Sequence, residues 1–269
     1  HQTIAVAAEP APLRTIAPLA EVRMGLIRGE EERTFARAFA IASARGVPLA
    51  AHALIDSRVA ERAEESAATR TRMRKACAEA MEALQVHMDA VGAELGVRYD
   101  EGTPELLLAH DEPGRALLVV PQDGWFHHGV DPVHADTSWA PDGLLHLPAA
   151  HAGPVLYAGT PASGGVLAVC DRGEPHLPAL LDWALASRLW PVETVRHIGR
   201  PDRARRGRLE EIATRHGAAF SPVPDPGASS EGRAALTRDA CATIVATLPR
   251  PLRTRWYGMP WTERIAPGF

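Results

Sequence analysis

The sequence predicts an α/β protein built from two related units, each a mostly parallel sheet flanked by helices. Apolar, strand-like runs alternate with amphipathic helical patterns along most of the 269 residues, an order typical of parallel sheets with right-handed crossovers. The stretch 23–56 also recurs at about 165–199, so that the tripeptide RGE at 28–30 aligns with RGE at 172–174. We therefore expect a duplicated unit whose two copies pack as an internal pseudo-dimer.

Each element of the first unit follows from its local pattern. Strands are expected at 22–27, 49–55, 97–99 and 116–120, and helices at 30–44, 58–95 and 103–110. The first helix has apolar residues at spacings of three and four and stops at Gly46, a residue that commonly ends helices. The run 49–55 is largely apolar, as in a strand that a parallel sheet buries on both faces.

The second unit repeats this order in a shorter form. Strands are expected at 166–169, 192–198, 219–223 and 243–248, and helices at 177–189, 203–216 and 230–239. No fifth strand is evident after residue 248. The apolar run 3–8, which the pattern matches with 154–159, is therefore expected to pair with the second unit. The predicted divisions are 1–20 for the leading strand and linker, 21–159 for the first unit and 160–269 for the second.

The composition is that of a soluble globular protein and does not indicate a nucleic-acid-binding, disulfide-rich or membrane-spanning protein. Apolar residues make up 46% of the chain, charged residues 23%, and the formal net charge is -4, which is ordinary for a soluble protein and gives no indication of nucleic acid as a partner. The basic run 200–208 is interpreted as a solvated helix face. Three scattered cysteines favour a reducing, cytoplasmic setting, and no apolar run reaches the roughly 18 residues of a membrane span.

The candidate binding residues lie where predicted strands end, because ligands of open parallel sheets bind beyond the carboxyl ends of the strands. For His52 and His197, which the repeat matches, a packed and hydrogen-bonded side chain is the first expectation and ligand binding the second. The candidates are Arg28, Gly29, His52, Gly124 and Gly129 in the first unit, and Asp171, Arg172, Gly173 and His197 in the second.

A second group of polar residues follows the fourth strand. It contains His127, His128 and His134 with Asp123, Asp131 and Asp136, and such side chains bind zinc and other transition metals. Their spacing matches no metal motif, so no metal ligand is assigned. No nucleophile elbow, CxxC, HExxH or Walker loop occurs either. Cys170 is the best isolated nucleophile, although a small buried hydrophobe is the simpler interpretation, and no catalytic residue is assigned.

The sequence resembles the universal stress protein family in its tandem form. In that family the first strand commonly ends in Asp followed by Gly and Ser, and 169–173 (VCDRG) is a loose version of this, whereas the first copy has Arg28-Gly29 without an Asp. In nucleotide-binding members a glycine-spaced loop after the fourth strand holds phosphates. The segments 120–129 (VPQDGWFHHG) and 248–258 (LPRPLRTRWYG) occupy that position here.

The resemblance implies two tandem Rossmann-like units of the HUP type and a non-catalytic regulatory role in the stress response. It implies an adenine nucleotide such as ATP as the ligand, at an altered site. Pro121 and Pro249 each remove an N–H that a phosphate-binding loop would use, and Arg250, Arg253 and Arg255 could bind phosphates in compensation.

A protein partner or self-association is also expected, because the shortened second unit should leave strand edges open. Two alternatives stay open. One is a metal- or small-ligand-binding enzyme that uses the loop 127–136, and the other is a structural interaction subunit without a ligand.

Overall fold

A computed structural model describes residues 16–108, 115–122, 124–130, 147, 151, 153–159, 164–200, 202–227, 230–245 and 263–266. The first unit alternates strands and helices in the predicted order. Its strands are β1 (Glu21–Leu26), β2 (Leu49–Asp56), β3 (Gly96–Gly102), β4 (Ala116–Pro121) and β5 (Val155–Ala158). Its helices are α1 (Glu31–Arg45), α2 (Ser57–Arg62), α3 (Ser66–Val91) and α4 (Pro104–Leu107).

The long helix predicted at 58–95 is two helices. The Asp56 side chain caps α2 by accepting a hydrogen bond from the Arg58 N–H, and Ala63 then takes up an extended backbone at φ -73 and ψ 143. The regular apolar face of α3 includes Met73 and Cys77, both buried, and that periodicity begins only at Met73. Periodicity therefore located the buried face of α3 but not its ends, since the helix begins at Ser66 and stops at Val91, where Gly92 takes up a left-handed backbone.

The second unit contains a strand that the sequence pattern did not predict. Its strands are β6 (Val166–Asp171), β7 (Thr194–Gly199), β8 (Ala219–Val223), β9 (Ala242–Val245) and β10 (Glu263–Ala266), and its helices are α5 (Leu177–Ala186), α6 (Arg203–Arg215) and α7 (Ser230–Thr237). The expectation that no strand follows β9 was wrong. β10 has four residues, too few to show a period-two pattern within an Arg- and Pro-rich segment.

The described strands form one ten-stranded sheet in the order β3-β2-β1-β4-β5-β10-β9-β6-β7-β8. Counted within each unit, both halves have the order 3-2-1-4-5, which confirms two tandem α/β units. Neighbouring strands are parallel except at the junction, where β5 and β10 pair antiparallel with Ile265 opposite Leu156. The two predicted sheets are therefore a single sheet, in which the units lie side by side.

The assignment of the strand beside β9 needs correction. Residues 154–159, which the repeat matches with 3–8, contain β5, and β5 pairs with β4 as the fifth strand of the first unit. The position beside β9, expected for residues 3–8, is occupied by β10. Residues 3–8 lie outside the described ranges, so their own pairing stays a prediction. The linker after them does contact the second unit, since the Trp183 indole donates a hydrogen bond to the Ala17 carbonyl at 3.0 Å.

Alternating strand residues bury both faces of the sheet, as the period of two requires. On one face, a single hydrophobic cluster contains residues of both units, including the fully buried Met24 and Leu117 of the first and Leu167 and Leu181 of the second. The opposite face of the first unit is covered by a separate cluster around Tyr157. Within the described ranges, no helix combines the length and apolar character that a membrane span requires.

Gly199 marks the closest approach of β6 and β7. A Cβ placed there would lie 2.5 Å from the Asp171 carbonyl oxygen, so the backbones of the two strands leave no room for a side chain.

Replacing Gly199 by Ala should lower the free energy of unfolding by about 1–3 kcal/mol, because the strand ends must separate to admit the methyl group. The matched control is Gly207→Ala in α6, where a Cβ would meet no atom within 4 Å. That change should raise the free energy of unfolding by about 0.5–1 kcal/mol, since Ala favours helix. Urea unfolding of both variants checks the pair, and a Gly199→Ala protein as stable as wild type would contradict the close approach.

Candidate ligand-binding site at the carboxyl ends of the strands

The sheet order places two candidate crevices in the molecule. In each unit the strand order reverses beside the first strand, between β1 and β4 in the first unit and between β6 and β9 in the second. Such switch points are where ligands bind in open parallel sheets. The loop after β4 is described to residue 130, apart from residue 123, whereas residues 246–262 after β9 lie outside the described ranges.

The first crevice is filled by the protein's own side chains. Phe126 is 2% exposed and belongs to the cluster that contains Ile27 and Tyr157. Its ring lies against β1, since a Cβ on Gly25 would be 3.4 Å from Phe126 Cζ. The Phe126 carbonyl also accepts a hydrogen bond from the Asp56 N–H at 3.1 Å. The loop after β4 therefore packs over the end of β1 and is hydrogen-bonded to the end of β2.

His128 completes this closure. Its ring is 1% exposed, Nδ1 accepts a hydrogen bond from the Arg28 N–H at 3.1 Å, and Nε2 lies 2.7 Å from the Leu54 carbonyl oxygen. Since a carbonyl only accepts, Nε2 carries the proton and the ring is neutral. Burial lowers the pKa of His128, which agrees with a neutral ring. Its φ of 55 is unusual for a residue other than glycine, and these bonds hold it there.

The predicted glycines of the first unit shape turns around this closed crevice. Gly124 has φ 99, and a Cβ there would lie 2.8 Å from Ile27 Cγ2. Gly129 has φ 76, and Gly29 has φ 87 with its N–H donating to Glu31 Oε1 at 2.9 Å. The Arg28 guanidinium points elsewhere, since it pairs with Glu79 at 3.0 Å, and both side chains are roughly half exposed.

His52 does not lie at a strand end. It is in the middle of β2, opposite Arg98 of β3, and its Nε2 lies 2.7 Å from Asp100 Oδ2. Burial lowers the pKa of His52 by more than the Asp100 carboxylate raises it. Its inclusion among the residues at the strand ends was therefore wrong in position, while the expectation of a packed, hydrogen-bonded side chain matches its surroundings.

Asp171 is the centre of polar contacts in the second unit. Its carboxylate accepts hydrogen bonds from the Gly173 N–H at 2.8 Å, from His197 Nε2 at 2.9 Å, and from Arg205 Nε and Nη2 at 2.9 and 2.7 Å. Arg205 Nη2 also donates to the Glu174 carbonyl at 2.7 Å. Asp171 thus holds the turn after β6 and the first turn of α6 to the same strand end.

The electrostatics of this cluster keep Asp171 ionised. Burial alone would raise the pKa of Asp171, but the hydrogen bonds from His197, Arg205 and the Gly173 N–H outweigh burial and leave the pKa well below its usual value. His197 is completely buried and stacks on Phe220 at a ring distance of 5.7 Å. With Nε2–H donating to Asp171, the buried Nδ1 has no hydrogen-bond partner among the described residues.

Arg172 and Gly173 are the exposed members of the site. Gly173 has φ 93, and the Arg172 N–H donates to Glu174 Oε2 at 2.9 Å, closing the turn. The Arg172 guanidinium makes no hydrogen bond or ion pair with any residue in the described ranges, which leaves a cationic group at the carboxyl end of β6. The four candidates of the second unit therefore lie together: Asp171, Arg172, Gly173 and His197. In the first unit, His52 lies apart from the other candidates.

His128 is not available as a ligand for the metal site that was considered in the loop 127–136. Both ring nitrogens of His128 are engaged within the fold, and the His127 ring stacks on Trp125 while its Nδ1 accepts from the Gly129 N–H at 3.2 Å. No group of three possible metal ligands occurs within the described part of the chain. The other predicted members, His134, Asp123, Asp131 and Asp136, lie outside it. Cys170 is partly exposed and packs against apolar clusters of both units.

Arg205 is the site residue that sequence reasoning missed. It lies in the basic run 200–208, which was interpreted as a solvated face, and the run is indeed mostly exposed. The one local signal is Asp202, whose side chain caps α6 by accepting from the Arg205 N–H at 2.8 Å. That cap fixes where the helix starts, but only the folded arrangement, which brings the first turn of α6 to Asp171 at the end of β6, directs one arginine of the run inward.

A separate groove of about 330 Å³ lies between the linker before β1 and helices α5 and α6, with Ile16, Trp183 and Arg208 among its lining residues. None of the predicted site residues lines this groove. The groove is therefore separate from the candidate residues of both crevices.

Comparison with known proteins assigns no family to this chain. No family model and no curated protein matches the sequence. Among solved structures, the chain is similar to a crystal structure described provisionally as that of a universal stress protein from Pseudomonas aeruginosa UCBPP-PA14, with 14% identity, a TM-score of 0.49 and 93% of each chain covered. At this level the likeness carries no argument about ligand or activity.

Asp171→Asn should lower the free energy of unfolding at pH 7 by about 3 kcal/mol, because a largely buried guanidinium loses its counter-charge. The folded-state pKa of Asp171 lies below the unfolded value of about 3.9. Its stabilisation is therefore complete above that value and is lost as the pH falls through it toward the lower folded pKa. Urea unfolding of wild type and variant should show the difference shrinking between pH 7 and pH 3.

The control is Asp239→Asn, which breaks the more exposed Arg196–Asp239 pair in the same unit and should cost less than about 1 kcal/mol. The prediction fails if the free energies of unfolding of wild type and Asp171→Asn differ by the same amount at pH 7 and pH 3. The charge of Asp171 would then not stabilise the fold.

Proposed function

We propose that this chain is a non-catalytic regulatory module of the universal stress protein type, with one nucleotide site and one closed site. In the proposal, the second unit binds an adenine nucleotide at the altered site beside Asp171, Arg172 and Gly173, and the first unit binds none. The observation that carries it is the difference between the two crevices. Phe126 and His128 fill the first, while the matching turn of the second presents the Arg172 guanidinium, which has no partner within the described ranges.

Backbone donors in the first loop support its exclusion from nucleotide binding. A phosphate-binding loop needs consecutive N–H groups that point at the ligand. Here three consecutive N–H groups donate within the loop, from His128 to the Trp125 carbonyl at 2.8 Å, from Gly129 to His127 Nδ1 at 3.2 Å, and from Val130 to the His127 carbonyl at 3.0 Å. Pro121 has no N–H to offer. Binding a phosphate there would require the loop to break these bonds.

Positive charge supports the assignment to the second unit. The Arg172 guanidinium is exposed beside the end of β6, and guanidinium groups bind phosphate oxygens in a bidentate manner. The sequence of the following loop supplies Arg250, Arg253 and Arg255, although these residues lie outside the described ranges. The Asp171 carboxylate already accepts several hydrogen bonds, so its role in this proposal is to hold the turn in place.

The burial of the site histidines supports a non-catalytic role. A general base must come within hydrogen-bond reach of its substrate. His197 is fully buried and bonded to Asp171, and His52 is 9% exposed and bonded to Asp100. Neither ring can meet a bound substrate without unfolding its surroundings.

A structural interaction subunit without any ligand is the second candidate. The closed first crevice favours it, because a protein that needed two ligand sites would not fill one with a buried Phe and His. It becomes the better description if the second unit also fails to take up nucleotide.

The repeat offers a matched pair of variants for the nucleotide proposal. Arg172→Ala should weaken ATP binding about tenfold, the loss expected for one charge-assisted contact. Arg28→Ala, the same change at the same position of the first unit, should alter the dissociation constant by less than about twofold, because that crevice is closed. Isothermal titration calorimetry with ATP, ADP and AMP measures both, and native mass spectrometry gives the stoichiometry.

One nucleotide per chain with only Arg172→Ala impaired is the expected result. Two nucleotides per chain, or equal losses in both variants, would contradict the one-site arrangement. A wild-type protein that takes up no ATP at millimolar concentration would overturn nucleotide binding and leave the structural interaction subunit.

A further inference from the structure

The ten-stranded sheet has two outer strands, and only one of them is a suitable surface for pairing. An edge strand presents unpaired N–H and C=O groups to a further strand. β8, at one edge, has five residues and carries Pro222, which lacks an N–H and makes the strand a poor partner. β3, at the other edge, has seven residues and no proline. Among the described strands, the open edge therefore belongs to the first unit, whereas the sequence had suggested the second.

Exposed apolar side chains are concentrated near this edge. Every large exposed hydrophobic residue of the described ranges falls between residues 86 and 106, in α3, β3 or α4. On β3, Tyr99 is 41% exposed and Val97 is 37% exposed, and their spacing of two puts both on one face of the strand. The full set is Val86, Val91, Val97, Tyr99 and Leu106. Of these, Val97 and Tyr99 lie on the edge strand itself, where exposed apolar side chains are typical of an interaction surface.

The charges on β3 are complementary to a second copy of the same strand. Arg98 and Asp100 flank Tyr99 and share the opposite face, where they form an ion pair at 2.5 Å, and the Arg98 side chain is largely exposed. If two β3 strands pair antiparallel with Tyr99 opposite Tyr99, each Arg98 lies opposite Asp100 of the second copy. The two-fold symmetry produces that pair twice, as in isologous dimers. Opposite charges in directly facing positions stabilise antiparallel pairs.

We propose that two copies of this chain associate edge to edge through antiparallel β3 strands, with Tyr99 at the two-fold axis. The sheet then runs continuously through both chains. This interface is independent of the proposed nucleotide site, because β3 is the strand farthest from β6 in the first unit.

The test measures the oligomeric state of the full chain by sedimentation velocity between about 1 and 100 µM. Wild type should sediment as a dimer of the 28.9 kDa chain at the upper concentrations. Arg98→Glu places two acidic residues opposite each other at both ends of the pair and should weaken the dimer at least tenfold. Ser221→Glu on β8, the opposite edge, is the control and should leave dimerisation unchanged.

Mixing two variants makes the test specific for this register. Arg98→Glu alone leaves an acidic edge, and Asp100→Arg alone leaves a basic one. Each should be impaired as a homodimer, whereas an equimolar mixture should form a heterodimer, since both cross-strand pairs again join opposite charges. Because Asp100 contacts both His52 and Arg98 within its own chain, thermal melts check that Arg98→Glu and Asp100→Arg fold. If either does not, hydrogen exchange of residues 96–102 in wild type should still slow with rising concentration.

Three results would overturn the proposal. Wild type could remain a monomer at 100 µM with concentration-independent exchange in β3. The dimer could persist unchanged in Arg98→Glu, which would place the interface elsewhere. Lastly, β3 could gain protection only when an extended peptide of another protein is added, which would make this edge a site for a different partner.

Discussion

The antiparallel pairing of β5 with β10 is the interaction on which the rest of the molecule depends. Each unit alone would expose the outer edge of its fifth strand, and this pairing satisfies both edges at once. It also joins two parallel sheets into one. As a result, the hydrophobic cluster on one face includes residues of both units, and Cys170 of the second unit packs against the Tyr157 cluster of the first. Among the described strands, β3 and β8 are then the two edges of the sheet.

The duplicated scaffold carries two different environments at the same position. The alignment of the two RGE tripeptides places Ile27 where the second unit has Asp171. Ile27 is buried with Phe126, so an apolar loop closes over it and the crevice is lost. Asp171 instead draws in Arg205 and His197 and leaves Arg172 exposed. An acidic residue in place of an apolar one at a strand end thus accompanies the difference between the packed first crevice and the charged second one.

Sequence reasoning recovered the elements better than their connections. Strong periodicity located α1 and α3, and apolar runs located β1, β2, β4 and β7, because burial of a regular element imposes a pattern that survives in the sequence. Short elements such as β10 leave no such pattern. The sequence grouped Asp171 with Arg172, Gly173 and His197 because these residues are adjacent in the chain or matched by the repeat, and their binding of a ligand stays a prediction. His52 was placed at a strand end because the sequence pattern does not show where β2 stops. The alternation of residues indicates which face of a strand a side chain lies on, but not how far it is from the end of the strand.

The sequence by itself determined the alternation of strands and helices, the duplication, and the residues that follow each strand, because these depend on local propensity and periodicity. Tertiary structure alone decided that β5 and β10 join the units, that Phe126 and His128 fill one crevice, and that Arg205 turns inward to Asp171. Each of these is a contact between residues far apart in the chain. Their formation depends on which surfaces the folded sheet brings within reach, and no local pattern encodes that distance.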